Sequence, residues 1–138
     1  MPSRPFRGTV LVVDATVLVV ALADDGTDGE AARTRLRHET LAAPELIDLE
    51  VASVLRRQDR AGLLGTRRAN LALTDLAALP MQRAPHGPLL PRCWDLRHNL
   101  TTYDAAYVAL ADALDAPLAT CDAKLAAAAG RRVNVEVF

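Results

Sequence analysis

Along the chain, nearly unbroken apolar stretches alternate with stretches in which apolar positions recur every three or four residues. Residues 9–22, TVLVVDATVLVVAL, are apolar and rich in β-branched side chains except at Asp14, the pattern of a strand buried on both faces. A lone carboxylate buried without compensation is costly, so Asp14 is expected where the strand ends and the chain turns into a helix. Two residues on, the Thr16 hydroxyl is placed to cap that helix or to join a site. Residues 23–29, ADDGTDG, read as a loop, and residues 30–39 as a mostly polar helix docked by Ala31, Ala32 and Leu36. TLAA is a short strand, and Pro44 suits the first turn of a helix that ends near Gly62.

Within that helix Glu50 shares a face with Leu46, Ile47 and Val54, so its carboxylate points along an apolar side. Residues 65–79 form a further helix with Leu71, Thr74 and Ala78 or Leu79 inward, followed by a short strand near residues 81–83 and a Pro/Gly-marked loop. Pro91 opens a short helix carrying Trp94 and Arg97. The segment TTYDAAYVALADALDAPLATCD, residues 101–122, reads as a helix with Asp104 in its first turn, a turn at Pro117, and a short strand, PLAT, that runs into Asp122. Tyr107, Val108 and Ala111 are expected to hold that helix against the sheet. A small helix stopped by Gly130 and an edge strand alternating at Val133, Val135 and Val137 close the chain. Short connections and right-handed crossovers between alternating strands and helices favour an α/β fold, a three-layer α/β/α sandwich around a mainly parallel sheet, as one domain over residues 1–138.

Composition changes this picture little. The chain is 51% hydrophobic and only 4% aromatic, as expected for Ala-, Leu- and Val-rich helices on a small parallel sheet. Sixteen basic residues against seventeen acidic ones give a net charge of −1, so overall charge does not advertise nucleic-acid binding. All basic residues except Lys124 are Arg, which suits bidentate phosphate or carboxylate contacts but also follows from GC-rich codon usage. Most of them read as solvated surface, including Arg56, Arg57 and Arg60. Cys93 and Cys121 have neither metal-site spacing nor the density of a disulfide framework. Residues 1–8 are a Pro/Arg-rich lead-in with Arg4 and Arg7, and the short apolar run after it, interrupted by Asp14, is too short and too charged for a signal peptide or membrane span, so a cytoplasmic location is the default expectation.

The chemistry lies in four acids at unusual positions. In a parallel sheet all strand exits share one edge, so Asp14 and Asp122 approach each other there, beside the helix starts that carry Asp104 and Glu50. Crowded carboxylates raise one another's pKa unless a cation compensates, and an all-oxygen set suits Mg²⁺ or Mn²⁺. Asp14, Asp104 and Asp122 are candidate ligands, Glu50 a ligand or water-orienting group, and Thr16 and Thr120 supporting donors. Arg97, just before the Asp104 turn, is placed to touch a phosphate or pair with an acid. Taken singly, Asp104 also reads as a capping residue, Asp122 as an exposed turn, and Trp94 as a core or interface residue.

VVDATVLV around Asp14, LIDLEVASVLRR around Glu50, LTTYDAAYVALAD around Asp104 and LATCDAKLA around Asp122 resemble the PIN-domain nucleases, specifically the VapC-type toxins of toxin–antitoxin pairs. The resemblance runs from about residue 10 to 137. It implies a five-stranded parallel sheet, a homodimer, and endonucleolytic cleavage of RNA dependent on Mg²⁺ or Mn²⁺. It also implies a VapB-type antitoxin that restrains the activity in a heterotetramer or larger assembly, with no membrane partner. Asp14, Glu50, Asp104 and Asp122 match the family's acidic positions, Thr16 and Thr120 its hydroxyls, and Arg97 its arginine before the TYDA turn; Asn134 stands where some relatives carry a further acid. Two other readings are a catalytically silent interaction module and a phosphoacceptor receiver domain. The latter calls for adjacent acids after the first strand and a lysine at a late strand end, whereas Val13 precedes Asp14 and Lys124 follows Asp122.

Overall fold

The computed structural model describes residues 10–138, so the lead-in and the Thr9 start of the first strand lie outside the described residues. Five short strands form one sheet: β1 (Val10–Val13), β2 (Thr40–Pro44), β3 (Met81–Ala84), β4 (Leu118–Thr120) and β5 (Val135–Val137), in the order β3-β2-β1-β4-β5 with every neighbouring pair parallel. Helices α1 (Ala15–Ala23), α2 (Thr27–Leu36), α3 (Ile47–Arg60), α4 (Thr66–Ala78), α5 (Leu90–Asp95), α6 (Thr102–Leu114) and α7 (Ala123–Ala129) complete a three-layer α/β/α sandwich.

Strand order follows burial. The central strands β1, β2 and β4 contribute Leu11, Val12, Val13, Leu41, Ala43, Leu118 and Ala119 to the core, whereas the edge strands β3 and β5 carry partly exposed, polar positions. Helix α6 lies along β1 and β2 with α5 against it, and Tyr107, Val108 and Ala111 are buried there as expected. On α3 the buried residues are Ile47, Val51 and Leu55. Among the described residues no helix is long and apolar enough to cross a membrane, and both cysteines are free.

Several local expectations are corrected. Helix α2 begins at Thr27, inside the stretch read as a loop, because Gly29 packs onto the preceding turn: a Cβ there would lie 1.8 Å from the Asp24 carbonyl oxygen. Pro44 ends β2, paired with Ala84, and does not open α3; its missing N–H costs nothing at that last strand position. The inward face of α4 is Ala69, Ala72 and Leu76, while Leu71 is half exposed. Thr74 and Ala78 are exposed as well, and it is the face with the small Ala69 and Ala72 that is buried where α4 meets α1 and α3. Trp94 is 66% exposed and therefore no core residue.

Candidate active site

The register of the sheet builds the site. Val13 on β1 pairs with Ala119 on β4, so the residues that follow, Asp14 and Thr120, emerge side by side at the carboxyl edge, and the Asp14 N–H donates to the Ala119 carbonyl at 3.2 Å. Asp14 is the N-cap of α1, its Oδ1 accepting from the Val17 N–H at 3.1 Å. Both threonine hydroxyls then close on the same carboxylate. Thr16 donates to Oδ1 at 2.6 Å and Thr120 to Oδ2 at 2.5 Å. Each hydroxyl is in turn oriented from behind, since Thr16 Oγ1 accepts from the Cys121 N–H and Thr120 Oγ1 from the Asp122 N–H, both at 2.9 Å. The two strand exits are thus stitched together through one buried acid.

Asp122 serves its own helix as well, its Oδ1 accepting from the N–H groups of Lys124 and Leu125 as the N-cap of α7. Asp104 does not cap α6: Thr101 does, accepting from the Asp104 N–H at 3.2 Å, which leaves the Asp104 carboxylate for other partners. On the facing helix α3, Glu50 is half-buried and its Oε1 accepts the Tyr107 phenol at 2.5 Å. Asp14, Glu50, Asp104 and Asp122 line a single pocket of about 200 Å³ together with Thr16, Ser53, Val54, Arg57 and Tyr107.

Electrostatics sets this pocket apart. Burial pushes the Asp14 carboxyl above the ordinary carboxylate range, with the hydrogen bonds from Thr120, Thr16 and Val17 pulling back. Glu50 is raised by burial and then by the charges of Asp104 and Asp14, against the Tyr107 hydrogen bond. Asp104 is raised by burial and then by the charge of Asp122, against a hydrogen bond with the Thr101 side chain. Tyr107, buried beside Glu50, is held well above a normal phenol. A cluster of hard oxygen donors that resist losing their protons is what a divalent cation relieves, so the donor set fits Mg²⁺ or Mn²⁺ chemistry. Among the described residues no three Asp, Glu, His or Cys side chains already converge closely enough to hold an ion as they stand.

The four acids and Thr16, all expected from sequence, meet at this pocket, and Thr120 reaches it through Asp14. Arg97 does not line it. Its guanidinium stacks over the Trp94 ring, 4.6 Å from the centroid, and its Nη1 donates to the Trp94 carbonyl. Sequence reasoning missed three members. Ser53 and Arg57 lie three and seven residues after Glu50, a spacing that puts them on one helical stripe. Tyr107 follows Asp104 by one turn, a signal outweighed by its evident value as core.

Comparison with known proteins gives one family. The PIN domain model matches residues 11–131. Ribonuclease VapC1 of Mycobacterium tuberculosis is 47% identical over 91% of this chain and 96% of its own length, and Ribonuclease VapC9 of the same species is 41% identical over 84% and 88%. Among solved structures, PAE2754 from Pyrobaculum aerophilum superposes with a TM-score of 0.68 at 22% identity, covering 99% of this chain and 93% of that one. VapBC2 from Rickettsia felis, solved bound to a DNA fragment from its promoter, gives 0.66 at 13% identity, covering 94% and 98%. At these identities the two structures speak to the shared fold.

Proposed function

The chain belongs to the PIN-domain family, among its VapC-type members, and from that premise we propose that it is a divalent-cation-dependent endoribonuclease, the toxin of a toxin–antitoxin pair. One observation carries the reading: four carboxylates from four different elements line a single pocket at the carboxyl edge of the sheet, and three of them are held above their usual pKa. Structural acids that cap helices or pair with arginines have no need to share a pocket. Evolutionary relatives named ribonucleases, at 47% and 41% identity, supply the substrate class.

Asp14, Asp104 and Asp122 are assigned as the groups that would hold Mg²⁺ or Mn²⁺. A cation held there would supply charge neutralisation on the phosphodiester and lower the pKa of a bound water. Thr16 and Thr120 fix both oxygens of Asp14, so its carboxylate plane is set before any ligand arrives. Tyr107 occupies Oε1 of Glu50, leaving Oε2 to orient the attacking water, and to take its proton, or to join the ligands. Water oxygen would add to phosphorus as Glu50 takes its proton, and the bond to one ribose oxygen would break, that oxygen leaving with a proton from solvent.

The same reading assigns a VapB-type antitoxin as restraining partner, a homodimer within a heterotetramer or larger complex, a cytoplasmic setting, and a single nuclease unit over residues 1–138. Co-expression with a candidate VapB-type antitoxin followed by size-exclusion chromatography tests the assembly. A silent interaction module with this fold would bind Mn²⁺ no better than its Asp104→Asn variant. Calorimetric titration in which Asp104→Asn weakens Mn²⁺ binding at least tenfold supports the metal site, and equal isotherms would refute it.

A further inference from the structure

The arginines of this chain divide by what they touch. Arg35 is clamped between Glu39 and Glu136, Arg68 pairs with Asp25, Arg83 with Asp48, and Arg92 with Asp112. Each of these guanidiniums ties two pieces of the fold together. Arg57 does not. Its side chain is exposed and lines the acidic pocket, yet among the described residues it forms no ion pair, and its one polar contact is a long one, Nη1 to the Ser53 hydroxyl at 3.5 Å.

The helix explains how it comes to be there. Glu50, Ser53, Val54 and Arg57 all line the pocket, at spacings of three, four and seven residues, so one stripe of α3 forms that wall from the acids outward. Arg57 follows Glu50 by two helical turns, roughly 10 Å along the axis, and its side chain reaches back to Ser53, so the guanidinium stands on the same pocket wall as the acids. A cation at the rim of an acidic pocket, held by neither acid nor packing, is suited to a phosphate that arrives with the substrate.

We propose that Arg57, steadied by Ser53, is the substrate-positioning residue that holds an RNA phosphate next to the scissile one and so sets the path of the strand along α3. This inference rests on the ribonuclease reading and deepens it. Arg57 is a positioning residue: it grips the backbone and leaves the reacting atoms to the carboxylates. Its neighbour Arg56 is the natural control, since it is also exposed and carries the same charge but lies off the pocket-lining stripe.

The test compares the unsubstituted protein with Arg57→Ala, Arg57→Lys and Arg56→Ala. Cleavage of a mixed-sequence RNA oligonucleotide is measured with Mn²⁺, and binding of the same labelled oligonucleotide with Ca²⁺ across a salt series. For Arg57→Ala, KM and Kd rise roughly tenfold or more while kcat changes less than about threefold, and the slope of log Kd against log salt drops by about one phosphate contact. Arg57→Lys recovers the salt slope with part of the affinity, and Arg56→Ala stays within about twofold of the unsubstituted protein. Equal losses in Arg56→Ala and Arg57→Ala would reduce the effect to net charge and overturn the proposal, as would an unchanged Kd and slope in Arg57→Ala. Failure of the unsubstituted protein to bind or cut the RNA would instead strike the ribonuclease reading, and this inference with it.

Discussion

Thr120→Val removes one oxygen from the centre of the network and leaves the shape almost unchanged. Thr120 is fully buried, its hydroxyl donates to Asp14 Oδ2, and the same oxygen accepts the Asp122 N–H. Valine fills the same space, so no cavity term enters. What is lost is a hydrogen bond to a charged group, and what remains is a backbone N–H without a partner. Together these amount to about 2–4 kcal/mol at neutral pH, or a fall in Tm of about 7–14 °C for a domain of this size. The loss has a pH signature. The Thr120 hydrogen bond is the largest influence holding the Asp14 pKa down against burial, so the variant's Asp14 titrates higher still. The gap between the two proteins is therefore widest above both pKa values and shrinks as pH falls through them, because a protonated Asp14 no longer needs the donor. Thermal or urea unfolding in chelator, from pH 8 down to the acid limit of folding, measures this directly, with Thr120→Ser, which keeps the hydroxyl, as the control. A loss that is the same at both ends of that range would place the cost in packing and refute the reasoning; so would a Thr120→Ser variant that behaves like Thr120→Val.

Asp14, Glu50 and Asp104 all titrate above their ordinary values, so without metal their contribution to stability is fully present below the unfolded pKa and is lost as pH rises through the folded one. Differential scanning fluorimetry in chelator should show Asp104→Asn melting about 2–4 °C above the unsubstituted protein at pH 8, a gap that closes toward pH 4 and reverses on adding Mn²⁺. Tyr107→Phe keeps the buried ring but frees Glu50 Oε1, so stability falls by about 1.5 kcal/mol and the cleavage rate roughly tenfold, with the acid limb of the rate profile moved to higher pH as Glu50 loses its donor. Gly29→Ala tests the fold alone. Helix propensity favours alanine by about 1 kcal/mol, yet the 1.8 Å clash with the Asp24 carbonyl predicts a net loss of about 2–4 kcal/mol in urea unfolding.

The acids were legible because each sits where its surroundings are wrong for it. Asp14 breaks an apolar run, Glu50 shares a face with Ile47, and Asp104 and Asp122 bound a mostly apolar stretch whose other acids are Asp112 and Asp115. Element order and sheet direction followed from the same pattern. What stayed hidden depends on contacts between distant parts of the chain. The Tyr107 phenol meets Glu50 across 57 residues, and the Thr120 hydroxyl meets Asp14 across 106. Thr120 could be nominated from the sequence, but only the β1–β4 register shows what it holds. Arg57 reads as one more surface arginine until the pocket wall is in view, and Arg83 and Arg92 likewise read as solvated surface until Asp48 and Asp112 are found beside them. Gly29 is similar: nothing local distinguishes it from a loop glycine, and its role comes from the Asp24 carbonyl against it.

The carboxylates lining this pocket are proposed to cut RNA with the help of a divalent cation. Purified, antitoxin-free protein should be incubated with total RNA in Mn²⁺, in Mg²⁺ and in chelator, alongside Asp104→Asn of verified fold, and the new ends mapped by sequencing. Discrete cleavage ends that require the cation and vanish in Asp104→Asn are the predicted result. RNA left intact by the metal-loaded protein, or ends that persist in Asp104→Asn, would contradict the account.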